Sequence, residues 1–190
     1  RLESPEAKAA VAESVRRIRT IALVHETLSR EPGDDVAFVE IVRPLLRLVE
    51  ESLQSPERPM RFMVIGDGGR LAATVVTPLS VVLTELLQNA VDHGFPEGDG
   101  GGNVAVRLQV EESELEIAVI DDGRGIPAGF KLADAKGLGL SIVRTLVTTE
   151  LAGTIEMRPA RAEELAEVEF VPRDGNTGTV ILLRVPLQSD

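Results

Sequence analysis

The chain has 190 residues, 43% hydrophobic and 27% charged, with a net charge of −11, two His and no Cys, Tyr or Trp. This is the balance of a globular protein large enough for one domain plus a helical appendage, with a core of Val, Leu, Ile and Ala. The acidic charge argues against direct nucleic-acid binding, the lack of Cys excludes disulfides and thiolate chemistry, and two His do not make a multi-histidine metal centre. No apolar run in the sequence reads as a membrane span and no signal peptide is visible, which fits a cytoplasmic location.

SPEAKAAVAESVRRIRTIALVHETLS (4–29) predicts one long helix, with Ser4 as N-cap and Pro5 in its first position. Val11, Ile18 and His25 are seven apart, Ser14, Ile21 and Leu28 form the companion row, and Val15 and Ala22 flank it. That stripe suits a two- or four-helix bundle. The chain opens at Arg1 in helix-like sequence, which reads as part of something longer. EPGDD (31–35) breaks the helix, and a second is expected over about 35–53 with Pro44 interrupting it. From residue 60 the period changes. MRFMVIGD and RLAATV read as strands, and TPLSVVLTELLQNAVDHGF (77–95) as a helix with Pro78 in its first turn. FPEGDGGGN is a glycine-rich break before two alternating strands, NVAVRLQVEES and ELEIAVIDDG. A loop (121–139), a helix (LSIVRTLVTTEL) and three strands (GTIEMR, AEVEFVP, GTVILLRVPL) complete the chain. Helices and strands mix without strict βαβ alternation, so the fold class is α+β.

Four segments carry chemistry. In the helix 77–95, Glu85 and Asn89 lie one turn apart on a polar face with Gln88, Asp92 and His93. Asp121-Asp122-Gly123-Arg124-Gly125 follows a strand, Gly137-Leu138-Gly139-Leu140 precedes a helix, and Gly175-Asn176-Thr177-Gly178-Thr179 enters the last strand. A carboxylate at a strand end accepts a hydrogen bond from an amino group such as that of adenine. Glycines beside it let the backbone pass close to a flat ring. Amides opening a helix cradle phosphate. An Asn oxygen suits Mg²⁺, and a Glu one turn away suits a general base. Each segment alone is most often a turn or a solvated face. Together, in this order, they describe a nucleotide site.

In these four segments the sequence resembles the ATP-binding domain of sensor histidine kinases, in the superfamily that joins gyrase, heat-shock chaperone, histidine kinase and MutL ATPases. ELLQNAVDH resembles the N box, DDGRG the G1 box, GLGLSIV the G2 box and Gly178-Thr179 the last glycine box. The resemblance covers roughly residues 35–190. It implies a two-layer α/β sandwich of the Bergerat type, a mixed sheet covered by helices, preceded by a long dimerisation-type helix. It divides the chain into 1–30, the second helix of a dimerisation and phosphoacceptor hairpin whose first helix is missing, and 31–190, the catalytic domain.

By that resemblance Asn89 coordinates Mg²⁺ and Glu85 is the catalytic acid/base. Asp121 binds the adenine amino group, and Gly123, Gly125 and Ile126 shape the pocket. Residues 126–136 form the ATP lid. Lys136, Gly137, Leu138, Gly139 and Leu140 meet the phosphates with Asp92 and His93 at hand, and Thr179 lies near adenine. The sequence departs from the pattern at Asp92, where many such kinases carry Lys, so Asp92 is expected to turn away. His93, Arg124, Lys131, Lys136 and Arg144 are the candidate cations, and Phe130 stands in for a phenylalanine box. The stretch from Arg158 to Asn176 is longer than a hairpin requires.

His25-Glu26 resembles a phosphoacceptor pair, but His25 falls on the heptad stripe, which points it into a bundle. RRIRTIALVHETLS resembles the second hairpin helix of a subclass related to the HWE-type kinases, in which the acceptor lies on the first helix. His25 is therefore expected to be a packed bundle residue, and the acceptor to lie upstream. A narrower resemblance, in the helix 4–29 and NAVDHGFP, is to soluble actinobacterial sensor kinases whose response regulator has an RNA-binding antiterminator output. The implied function is ATP-dependent protein-histidine phosphorylation in a homodimer built on the helical hairpin, with ATP and Mg²⁺, for relay to a regulator Asp. The alternatives are a serine kinase of the anti-sigma-factor kind, which shares these boxes, and a non-enzymatic, nucleotide-dependent docking module.

Overall fold

Strands that alternate two apolar rows need cover on both faces, and here the two covers differ in size. The computed structural model describes residues 5–30, 35–53, 57–96, 98, 100–127, 130, 138–173 and 175–187. In chain order the elements are α1 (Pro5–Arg30), β1 (Asp35–Ala37), α2 (Phe38–Leu53), β2 (Met60–Ile65), β3 (Arg70–Ala72), α3 (Ala73–Gly94), β4 (Gly102–Glu111) and β5 (Glu114–Asp121). Then come α4 (Leu138–Thr145), continued by a π-helical turn (Leu146–Glu150), β6 (Thr154–Pro159), α5 (Ala162–Glu167) and β7 (Thr179–Pro186). A mixed five-stranded sheet has the order β2-β4-β5-β7-β6. Only β2 and β4 pair in parallel. β1 and β3 form a separate antiparallel ribbon at the start of α3.

Period two sorts the strand side chains. Val104, Val106 and Leu108 of β4, Leu115, Ile117 and Val119 of β5, and Ile181, Leu183 and Val185 of β7 pack against the helices in the main core. Phe38, Ile41 and Leu45 of α2 and Leu79, Leu83, Leu86 and Leu87 of α3 fill that core from above. The intervening residues Ala105, Ala118, Ile120, Val180 and Leu182 form a second, smaller core on the opposite face with Leu165, Val168 and Phe170. This is what the long 158–176 connection does. AEVEFVP, expected as a strand, instead ends α5 and continues as a turn, because its apolar residues cover the back of the sheet rather than extend it.

Two helix starts also move. Residues 35–37 are a strand rather than the first turn of α2, and Pro44 lies inside that helix. α3 begins at Ala73, so Pro78 is inside it, not in its first turn. Pro78 has no N–H for the i−4 carbonyl, and the Thr77 hydroxyl donates to the Ala73 oxygen at 3.1 Å nearby. By length and composition α3 alone among the described helices is long and apolar enough to cross a membrane. Of its most apolar stretch 72% is buried inside the protein, as expected of a core helix.

α1 packs on α3 through Thr20 and Val24, while its predicted stripe faces solvent: Val11, Val15, Ile18 and Ile21 are exposed, Ile18 by 65%. Leu28 of that stripe does reach the core. His25 is exposed on the same side, on the face of α1 that the described residues leave uncovered.

Candidate active site

α3 carries Glu85 and Asn89 on consecutive turns and ends at Gly94, above the end of β5. The Phe95 N–H closes the helix on the Val91 oxygen at 3.1 Å. There the main chain is in close contact with itself. A side chain at Gly123 would strike the Gly94 oxygen at 2.5 Å, the Arg124 N–H donates to that oxygen at 3.0 Å, and the Gly178 N–H donates to the Gly123 oxygen at 3.0 Å. Gly125 takes φ +80°, and a Cβ there would meet the Thr177 hydroxyl at 2.0 Å. So the first and last glycine boxes are stitched to the end of α3.

Asp121 lies beneath this contact, 3% exposed. One carboxylate oxygen accepts the Gly123 N–H at 2.9 Å, and Thr179, its cross-strand partner, also bonds to it. Burial pushes its pKa up to about 7, against the lowering effect of the hydrogen bonds from Gly123 and Thr179. Asp122 points elsewhere. Its two oxygens accept the Asn103 backbone N–H at 2.8 Å and side-chain amide at 2.5 Å, which clamps the end of β5 to the start of β4.

In front of these residues opens a cavity of about 730 Å³, lined by Asn89, His93, Arg124, Gly125, Ile126, Pro127, Phe130, Gly139, Leu140 and Met157. One rim is polar and the remainder apolar, which suits a ligand with a flat ring and a charged tail. No carboxylate lines it among the described residues. Asn89 Nδ2 is buried there without a hydrogen-bond partner among them. An orphaned amide facing a cavity is placed to meet a ligand. The amide oxygen is the donor type that Mg²⁺ takes alongside phosphate and water, so the residue fits that ion.

Glu85 is 6% exposed. Its Oε1 accepts the Arg17 Nε–H at 2.7 Å, and its Oε2 lies against Gly139, where a Cβ would come within 2.5 Å. The structure thus brings the N-box and G2 residues together with α1. Thr179 and Asp121 are buried and are not among the lining residues. Asp92 is exposed, accepts the Gln88 side-chain amide at 2.7 Å and is not part of the lining. Arg144 is exposed on α4 and is likewise absent from it. Of Leu138 only the helical backbone is described, and Lys131, Lys136, Gly137 and most of the expected lid lie outside the described residues. Sequence reasoning missed Met157, one of the alternating β6 positions, and Arg17.

Residues 74–189 match the family described as histidine kinase-, DNA gyrase B- and HSP90-like ATPases, and residues 1–53 match a histidine kinase family. The chain is 38% identical over 187 residues to the sensor histidine kinase PdtaS of Mycobacterium tuberculosis, covering 98% of this chain and 34% of that protein. It therefore spans about a third of that relative's length. The histidine kinase domain of a blue-light-activated kinase from Erythrobacter litoralis has a TM-score of 0.72 at 21% identity, over 92% of this chain and 75% of that one. A histidine kinase, ThkA, solved in complex with the response regulator protein TrrA, has a TM-score of 0.59 at 22% identity, over 98% of this chain and 53% of that one.

Proposed function

This chain belongs to the family of histidine kinase-, DNA gyrase B- and HSP90-like ATPases, and on that premise we propose how its residues work in a two-component sensor kinase. It is a protein-histidine kinase catalytic region, and its ATPase domain binds ATP. The proposed reaction passes the γ-phosphoryl group to a His on a helix upstream of α1, for relay to an Asp of a response regulator. The observation that carries this reading is the Asn89 amide nitrogen, buried without a partner among the described residues in the lining of a cavity bounded by the N, G1 and G2 segments.

Asp121 accepts the adenine amino group, and Ile126, Phe130, Leu140 and Met157 hold the ring. Leu138 and Gly139 present backbone to the phosphates at the start of α4, and His93 and Arg124 supply positive charge. Asn89 would hold Mg²⁺, which when bound neutralises phosphate oxygens. Glu85 takes the proton released as the acceptor nitrogen bonds to the γ-phosphorus and the bond from that phosphorus to the bridging oxygen breaks, with ADP leaving. Dimerisation through the hairpin, a cytoplasmic location and an antiterminator-type regulator complete the proposal. The match of the first 53 residues to a histidine kinase family supports a His acceptor over the serine-kinase alternative.

The test is label transfer from γ-labelled ATP with Mg²⁺, to this chain and to a form extended upstream through the preceding helix. Acid-labile label on the extended form alone is expected. Acid-stable label would identify a serine kinase, nucleotide binding without any label would identify a docking module, and label on the short chain that vanishes in His25→Gln would make His25 the acceptor.

A further inference from the structure

The pairing of Arg17 with Glu85 joins residues 68 positions apart, one on α1 and the other on α3, one turn before Asn89 and against Gly139 of the cavity lining. It is well enclosed: the two side chains are 18% and 7% exposed. Arg17 is itself oriented, because its terminal nitrogen bonds Glu13 one turn earlier on α1 while Nε faces Glu85. The carboxylate is consequently held on both sides. Oε1 takes the guanidinium, and Oε2 abuts Gly139, with Glu13 Oε1 also near that glycine. A free Glu side chain of three torsions would sample several rotamers, and this one is restrained between α1 and the glycine that opens α4.

We infer that Arg17 is a positioning residue for Glu85, holding one carboxylate oxygen so that the other faces the phosphate end of the site. This rests on the reading of Glu85 as the acid/base of phosphoryl transfer. The consequence is that the position of α1 is reported to the site through one side chain. A shift of α1 along α3 draws Arg17 away and releases the carboxylate, with no change in the residues that hold adenine or ring. Beside this pair the Thr20 and Thr84 hydroxyls meet at 3.0 Å, so a second polar contact between the two helices changes in the same shift.

The test is the rate of label transfer from γ-labelled ATP in the full-length protein, with MgATP binding measured separately by calorimetry. Arg17→Ala lowers the transfer rate roughly thirtyfold and leaves the MgATP dissociation constant within about twofold, since misplacing a catalytic group acts on the reaction rather than on binding. Arg17→Lys, which keeps the charge, recovers part of the rate and carries the same comparison where alanine impairs folding. In a Glu85→Gln background Arg17→Ala adds no further loss. Thr20→Val loosens the same helix contact without touching Glu85 and keeps the rate. A slow Glu85→Gln with a full-rate Arg17→Ala overturns the positioning role alone. A full-rate Glu85→Gln overturns the reading of Glu85 beneath it. Equal losses in Thr20→Val and Arg17→Ala would reduce Arg17 to a docking contact of α1.

Discussion

α3 and α1 lie side by side and are built in opposite ways. α3 is apolar around most of its circumference and is buried along most of its length, so it belongs to the core before it belongs to the site. α1 meets it through Arg17, Thr20 and Val24 and leaves Val11, Val15, Ile18 and Ile21 in solvent. The lesson is that buried area and docking are different things. One helix is fixed almost wholly by the hydrophobic effect, while the other joins the core through Val24, Leu23 and Leu28, adds polar contacts at Arg17 and Thr20, and leaves an apolar stripe in solvent.

The sharpest break of this comparison is a pair of truncations. Leu86→Ala in α3 is expected to cost about 2–5 kcal/mol, whereas Ile18→Ala in α1 changes the stability of this chain by less than about 0.5 kcal/mol. Urea unfolding of both variants measures it, and comparable losses would mean that the Ile18 face of α1 is covered in solution. Next comes Asn89→Ala, on the polar side of α3. It is expected to lower Mg²⁺-dependent transfer by roughly a hundredfold or more, with the unfolding midpoint within a few degrees of the parent. Unchanged transfer would remove α3 from the site and leave it a core helix only.

The third prediction concerns the carboxylate under the end of α3. Asp121→Asn is expected to weaken ATP about tenfold and GTP much less, as read by competition binding, because a side-chain amide can present a donor where adenine also donates. Equal losses would remove the adenine role. The smallest effect is a pH slope. Burial raises the pKa of folded Asp121 to about 7 from an ordinary value of 3.8, so the folded state binds the extra proton and this group's contribution to stability falls as pH rises from about 4 to 7. Adenine donating to the carboxylate favours the ionised form. ATP affinity therefore rises with pH up to about 7, by at most roughly tenfold per unit, and Asp121→Asn flattens both slopes. A slope that survives in Asp121→Asn assigns the titration to another group.

Much of this was legible in the sequence because the signals are local. Period two marked β4, β5 and β7, and the spacing of Glu85 and Asn89 put them on neighbouring turns. What was not legible depends on distant partners. Asp35–Ala37 is a strand only because β3 lies opposite, and the alternation of AEVEFVP is equally satisfied by a turn that dips Val168 and Phe170 onto a sheet. The heptad stripe of α1 was visible, but Arg17 lies off it, and nothing local ties that guanidinium to a carboxylate 68 residues away.

The meeting of Gly94, Gly123 and Gly178 has a consequence for how such a site can vary. This contact is made of peptide groups rather than side chains, so rotamers cannot reshape it. Even alanine at Gly123 intrudes on a neighbouring carbonyl, and at Gly178 it intrudes on that of Asp121. No conservative replacement exists at either position. Substitutions that retune this cavity and keep the fold are therefore expected at its walls, at positions such as Ile126, Phe130, Leu140 and Met157, rather than at Gly123 or Gly178.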